Sequence, residues 1–258
     1  MKLLFELSGE HPALPVAELE CVGRVLEVRP QVAVAECPVP GAAARLALTH
    51  VVLGFLGSCG ASAGELSALL RDLAIAPGRP FAARVKKVAG SAVREPVPAL
   101  ERLMGALIDG EVSLDRPEVE FRAICSGDRI YLGQVLFRID RGAYDLRRPS
   151  TRPFFHPGVM LPLTARAVAN LSLAGPGESV YDPFCGTGGL LGEAGLLGAC
   201  PLGSDADPAM VAGCRQNFPS VPLFLADAMA LPLGTSILDA VVTDLPYGQS
   251  SWIRDRSL

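Results

Sequence analysis

The residues best suited to chemistry lie in the C-terminal half of the chain. Asp182-Pro183-Phe184-Cys185-Gly186-Thr187-Gly188-Gly189 follows a short strand-like run, Ser179 to Tyr181, and precedes a run of helical character, Leu190 to Leu197. Glycines at a strand-to-helix turn let a ligand approach the backbone, and the helix N-terminus offers free N–H groups to an anion. A dinucleotide fingerprint would need its third glycine at position 191, where leucine stands. The acid ahead of the loop says more. Asp182 can pair with an ammonium while a carboxylate rests on the helix N-terminus, which suits the amino-acid end of S-adenosylmethionine better than a pyrophosphate.

Three further strand patterns also finish in an aspartate. Pro201 to Ser204 ends at Asp205, nineteen residues after Gly186, close to the roughly 20 expected of an acid that binds ribose hydroxyls. Phe224 to Ala226 ends at Asp227, and Leu238 to Thr243 ends at Asp244. One such aspartate would read as a cap or turn residue, as does Asp239 at a strand start. Four in series mark a ligand site, because in an open parallel sheet the crevice lies outside the carboxyl ends of the strands. The last of them opens Asp244-Leu245-Pro246-Tyr247-Gly248. An exocyclic amine on a nucleobase is a poor nucleophile, its lone pair being delocalised into the ring. Methylation needs its N–H groups held by acceptors with the methyl in line. The Asp244 carboxylate and the Leu245 carbonyl are candidate acceptors, and Tyr247 could stack on a base extracted from its helix.

These residues need a scaffold, and the sequence patterns outline one. Leu3 to Leu7, Val32 to Ala35, Phe81 to Lys86 and Val119 to Ala123 read as strands, and Arg129 to Phe137, apolar on both faces, as a central strand. Helices are expected from Pro15, from the capping box Ser62 to Glu65, over Val97 to Ile108, and over Leu163 to Leu171. The reading is mixed α/β, with boundaries near 58 and 147: modules over 1–58 and 59–147, then a domain over 148–258 after a Pro-rich connector.

Charge is uneven along the chain. Residues 51–100 carry six basic and three acidic groups, and residues 151–258 five basic and nine acidic, within a formal net charge of −4. Arg84, Lys86 and Lys87 belong to a run without acids, and Arg147, Arg148 and Arg152 to a second basic cluster. Either cluster could be ordinary solvated charge or a nucleic-acid contact. Seven cysteines with no Cys-x-x-Cys pair fit neither a disulfide framework nor a zinc ribbon. His11 and His50 have no second ligand at metal spacing, so no metal is assigned. Cys185 reads as a small buried filler rather than a nucleophile, and Trp252 as a packing or stacking residue. The longest charge-free run, Leu46 to Gly64, holds four glycines, two serines and a histidine, a poor membrane span. Glu6 interrupts any signal-peptide core, so a cytoplasmic location is expected.

At Asp244 to Tyr247 the chain resembles the amino-methylating branch of the Rossmann-fold methyltransferases, with leucine for the first proline of their (Asp/Asn/Ser)-Pro-Pro-(Tyr/Phe) signature. More narrowly, Leu7-Ser-Gly-Glu-His-Pro12, Arg45-Leu-Ala-Leu-Thr-His50, Phe81-Ala-Ala-Arg-Val-Lys86 and Arg152-Pro-Phe-Phe-His-Pro-Gly-Val-Met-Leu-Pro162 look like the archaeal tRNA guanine-10 N2-methyltransferases. The resemblance covers essentially the whole chain. It implies a ferredoxin-like module, a THUMP domain that grips tRNA, and a Rossmann-like S-adenosylmethionine-dependent methyltransferase domain. Position by position it implies that His156, Pro157 and Met160 wall the cofactor site and that Asp182, Cys185, Gly186, Thr187 and Gly188 hold the methionine end. Asp205 with Ala206 would hold the ribose, Asp227 with Ala228 the adenine, and Asp244, Leu245, Pro246 and Tyr247 the target base. Arg84, Lys86, Lys87, Arg147, Arg148 and Arg152 would touch the RNA backbone. The implied product is N2-methyl- or dimethylguanosine in tRNA, and the implied partner is tRNA, with no DNA and no membrane. Another tRNA or ribosomal RNA site, a non-catalytic RNA-binding role, and a small activating subunit all stay open. Because the chain stops ten residues after Gly248, the family's last three strands are expected to be missing, leaving a truncated member that is unstable or inactive alone.

Overall fold

The computed structural model describes residues 1–245. Two compact units divide the chain: Met1–Ala44 with Leu48–Ile139, and Arg45–Ala47 with the chain from Asp140 onward. The division falls a few residues ahead of the expected boundary at 147. No helix among the described residues is long and apolar enough to cross a membrane.

The first unit is built on one seven-stranded sheet. In chain order its strands are β1 (Lys2–Leu7), β2 (Arg24–Arg29), β3 (Val32–Glu36), β4 (Thr49–Gly60), β5 (Phe81–Lys87), β6 (Val119–Ser126) and β7 (Arg129–Arg138). They lie in the order β2-β3-β1-β4-β7-β6-β5, antiparallel except for the β5–β6 pair. β4 occupies most of the charge-free run and passes straight through the expected boundary at 58, so the two N-terminal modules share a sheet. Its register slips at Val52/Leu53 and Phe55/Gly57, bulges that bend a long strand. β7 is interior, as its two-sided apolar pattern requires.

The helices of this unit are α1 (Leu14–Glu20), α2 (Ala63–Leu73) and α3 (Val97–Leu107). α2 starts where the Ser62 hydroxyl accepts from Glu65 N at 3.2 Å, the expected cap. Leu66 and Leu70 from α2 and Leu100 and Met104 from α3 pack on Phe81, Phe121, Ala123 and Leu132 of the sheet. Glu6 is buried and pairs with Lys86 at 2.7 Å and with Arg122. Burial pushes its carboxyl up, but these two cations pull harder and hold it below the usual carboxylate range.

The second unit is a parallel sheet. After α4 (Pro162–Leu171) come β8 (Ser179–Asp182), α5 (Gly189–Leu196), β9 (Cys200–Asp205), α6 (Pro208–Asn217), β10 (Leu223–Leu225) and β11 (Ala240–Val241). The strands lie in the order β10-β9-β8-β11, every pair parallel. Strand order therefore reverses beside β8, with β9 on one side and β11 on the other, the arrangement of one half of a Rossmann-like doubly wound fold. Ala169, Val180, Ala194 and Val242 form one core, and Cys185, Leu191 and Cys214 with Phe218 a second beneath the glycine-rich loop. The Tyr181 hydroxyl meets Ser204 Oγ at 2.6 Å, tying β8 to β9 inside the sheet. β11 has two residues where the sequence pattern predicts six, and Pro246 and Tyr247 lie outside the described residues, as does Trp252.

Candidate active site

The parallel sheet turns the aspartate series into a cluster. β8 and β9 end at Asp182 and Asp205, and the chain reaches Asp227 two residues beyond β10 and Asp244 three residues beyond β11. All four stand at the carboxyl edge, with Asp182 and Asp244 flanking the point where strand order reverses, the place at which open α/β sheets bind ligands.

Asp182 is only 2% exposed. Its Oδ1 accepts from Phe184 N at 3.0 Å. Burial raises its carboxyl to about 6; the Thr243 side chain and the Phe184 amide pull down less, and Asp205 and Asp244 push up further. Asp205 and Asp244 thus act electrostatically on Asp182, and among the described residues no cation lies among the groups acting on it. Asp205 is held at both oxygens, Oδ2 by Gly186 N and Oδ1 by Asp207 N, each at 2.9 Å. It therefore shapes the glycine-rich loop as well as facing the crevice. Asp227 is exposed and accepts from Met229 N at 2.9 Å. Ala206, Asp244 and Leu245 are exposed, and Ala228 is half-buried.

Within the loop, Gly186 (φ +49°) has no protein atom within 4 Å of where a Cβ would stand, so this side of the loop is open. Gly188 (φ +84°) is the opposite case: a Cβ there would lie 2.6 Å from Cys214 Sγ and 2.7 Å from the Phe218 ring. Gly188→Ala is expected to cost about 2–4 kcal/mol of stability through left-handed strain plus overlap. Gly186→Ala should cost about 1–2 kcal/mol, from left-handed strain alone, yet obstruct a ligand. Chemical denaturation beside calorimetry of S-adenosylhomocysteine binding checks the pair; equal stability losses at both positions would contradict it. Cys214 beside it and burial together push up the Cys185 thiol, keeping it protonated and without nucleophilic character.

The segment from Arg152 to Met160 runs beside the start of α5. The Met160 carbonyl lies 3.7 Å from a Cβ built on Gly189, at the first turn of α5. His156 is half-buried, its Nδ1 2.8 Å from the Pro157 carbonyl, and Pro157 is exposed. S-adenosylmethionine fits what these residues present. Asp182 is a buried carboxylate with no counter-cation acting on it among the described residues, a charge that an ammonium would supply. Among the described residues Thr187 Oγ1, buried in the loop, has no hydrogen-bond partner, and nothing lies within 4 Å of a Cβ built on Gly186.

The six basic residues singled out in the sequence are dispersed between the two units and already engaged. Lys86 pairs with Glu6, Arg84 donates to the Ala83 and Leu114 carbonyls, and Lys87 donates to the Glu95 carbonyl. Arg147 pairs with the buried Glu193, which Arg166 also holds, each at 2.8 Å. Arg152 lies over the Phe218 ring at 5.3 Å. Arg148 pairs with Asp145 in solvent. Glu193, Arg166 and Asn217, which organise this unit, carry no periodic or strand-end signal that would single them out in sequence.

Residues 149–252 match the family described as RMKL-like, methyltransferase domain. Over 97% of its length the chain is 35% identical to the tRNA (guanine(10)-N2)-dimethyltransferase of Methanothermobacter thermautotrophicus, covering 79% of that protein. The chain belongs to the tRNA (guanine(10)-N2)-dimethyltransferase family. Over 66% of its length it is also 35% identical to the family member of Methanocaldococcus jannaschii, of which it spans about half the length (54%). The crystal structure of TrmN from Thermus thermophilus superposes with a TM-score of 0.52 at 22% identity, covering 88% of this chain and 74% of that one. That likeness shows a shared fold, and the family's methyltransferase unit is the parallel-sheet unit described above.

Proposed function

We propose that the chain transfers methyl groups from S-adenosylmethionine to the exocyclic N2 amine of a guanine in tRNA, at position 10, once or twice. The observation that carries this reading is the crevice at the strand-order reversal, where an uncompensated buried Asp182 stands with Asp205 and Asp244. In this reading Asp182 and the start of α5 receive the amino-acid end of the cofactor, Asp205 with Ala206 its ribose, and Asp227 with Ala228 its adenine. His156, Pro157 and Met160 close one side. The cofactor supplies an electrophilic methyl on its sulfonium sulfur. In the first transfer the Asp244 carboxylate and Leu245 carbonyl would accept the two N–H groups of the base and aim the nitrogen lone pair at that methyl; as the N–C bond forms and the C–S bond breaks to leave S-adenosylhomocysteine, Asp244 would stabilise the charge on the amine and take its proton, and a second transfer would use the one N–H that remains.

The N-terminal unit supports the tRNA partner by family membership: residues 1–58 and 59–147 act as ferredoxin-like and THUMP modules on their shared sheet. Of the basic residues, Arg84, Lys87 and Arg148 donate to carbonyls or pair in solvent, and they are the candidates for phosphate contact. The proposal makes this a cytoplasmic tRNA-modifying enzyme. Its test is incubation of the full chain with labelled S-adenosylmethionine and unmodified tRNA, followed by mass spectrometry of the digested RNA. Label in N2-methyl- or N2,N2-dimethylguanosine at position 10 is the expected result. Label at another guanine would overturn the site, and label in DNA but not tRNA would overturn the substrate class. Retention of tRNA without cofactor binding would leave an RNA-binding protein.

A further inference from the structure

The two walls of the candidate cofactor site are separated in sequence, yet both are held by one face of α6. Residues 213, 214, 217 and 218 recur at helical spacing along this helix and its C-terminal cap. Gly213 leaves room for the Phe154 ring, which would lie 2.1 Å from a Cβ there. Cys214 and Phe218 fill the space beneath Gly188. Between them, the Asn217 side chain makes three hydrogen bonds, all to backbone. Its Oδ1 accepts from Phe154 N at 2.9 Å, and its Nδ2 donates to Phe154 O at 2.9 Å and to Thr187 O at 3.0 Å.

We propose that Asn217 is a positioning residue for cofactor binding: a single side-chain amide that fixes the Phe154–Met160 segment against the glycine-rich loop without touching the cofactor. The inference rests on the reading of this crevice as the cofactor site. A primary amide suits the task because it pairs with both the N–H and the C=O of Phe154, as a neighbouring strand would, and its second N–H reaches the loop carbonyl. A backbone segment pinned at both polar groups cannot slide along the helix. Since α6 also begins just after Asp205, capped by Asp207 at 2.8 Å to Ala209 N, one rigid helix sets the spacing between the ribose acid, the loop and the wall. A misplacement of such groups by about 1 Å costs on the order of 10²-fold.

The test compares Asn217→Ala and Asn217→Asp with Asn170→Ala in the full chain. Asn170 is also buried in this unit and makes hydrogen bonds on both sides of its amide, to Arg45 Nε and to the Arg45 carbonyl. Two readouts are taken: the dissociation constant of S-adenosylhomocysteine by calorimetry, and deuterium exchange over residues 153–160. The expected result is that both Asn217 variants bind at least about tenfold more weakly and lose protection over 153–160. The aspartate, which fills the same volume but presses a carboxylate on two carbonyls, should be no better than alanine. Asn170→Ala should lower the melting temperature with neither change. Binding by folded Asn217→Ala or Asn217→Asp within twofold of the parent would overturn the proposal. So would an equal loss in Asn170→Ala, which would show only general destabilisation. If the unaltered chain fails to bind S-adenosylhomocysteine, the reading of the site falls first, and unchanged exchange over 153–160 in the Asn217 variants would remove the latch separately.

Discussion

Replacing Asp244 by alanine should lower methyl transfer to tRNA by ~10³-fold, the scale for removing a preorganised acceptor from a reacting centre. Asp244 stands at the carboxyl edge of the sheet just past β11, and it is exposed. The loss should therefore come without a loss of folding, since exposed substitutions away from packing usually change stability by no more than about 0.5 kcal/mol. Asp244→Asn keeps one carbonyl acceptor but lacks the charge, so its loss should be smaller. A secondary effect gives an independent check. Asp244 is one of the charges that push Asp182 up, so its removal should move the Asp182 titration to lower pH. Single-turnover label transfer with saturating tRNA measures the first effect; a loss of less than tenfold in Asp244→Ala would remove this residue from the chemistry.

Asp182→Asn should stabilise the protein while weakening cofactor binding, a combination that a purely structural residue would not produce. The carboxyl stands at about 6 in the fold, against an ordinary 3.8. The folded state therefore holds its proton more tightly than the unfolded chain, and the sign follows from that. Below pH ~4 both states are protonated and the group contributes nothing. As pH rises from about 4 to 6 the unfolded chain ionises while the buried carboxyl keeps its proton, and by pH 6 to 7 the fold has lost up to about 3 kcal/mol, at 1.36 kcal/mol for each pKa unit. Asparagine has no such term and can still accept from Phe184 N, so most of that penalty should be recovered at pH 8 and none at pH 4. The ammonium of the cofactor offsets the same penalty in the native protein. Binding should release about half a proton at pH 6 and approach one at pH 5, and affinity should fall toward tenfold for each pH unit below 6. Denaturation at pH 4 and 8, with calorimetry of S-adenosylhomocysteine across pH 5 to 8, checks both halves. Affinity that stays level from pH 5 to 7 would contradict the ammonium pairing.

Local patterns were enough for most elements. β1, β3, β5 and β6 sit where short apolar runs place them, and α2 begins at the serine whose cap was readable from Ser62 and Glu65. β2 went unread because it is an edge strand of alternating charge, Arg24-Val-Leu-Glu-Val-Arg29, with Leu26 and Val28 exposed. Nothing local tells such a segment from a polar loop, because its pairing energy comes from β3. β4 carries three glycines, a residue type depleted in strands; two of them have tertiary reasons, Gly57 at a register slip and Gly54 at a close approach to β7, where a Cβ on Gly133 would lie 2.9 Å from the Gly54 carbonyl.

The sequence by itself determined the chemistry on offer: aspartates at strand ends, a glycine-rich turn, and an acid followed by Leu-Pro-Tyr. These are properties of residue type and spacing along one chain, and strand-end position follows from local pattern. Only the tertiary structure decided which charges are free to act. Lys86 and Arg147 are spent on the buried carboxylates of Glu6 and Glu193, and Arg152 on an aromatic face, because a charge taken from water needs a partner wherever the fold can supply one. Among the described residues no cation acts on Asp182, and its raised carboxyl is a consequence of burial and of two other carboxylates placed near it after β9 and β11. The role of Asn217 is tertiary in the same sense, for its two partner residues, Thr187 and Phe154, lie 30 and 63 residues away. Long-range pairing of that kind leaves no periodicity in a sequence, since it depends on how α6 packs and not on what α6 is made of.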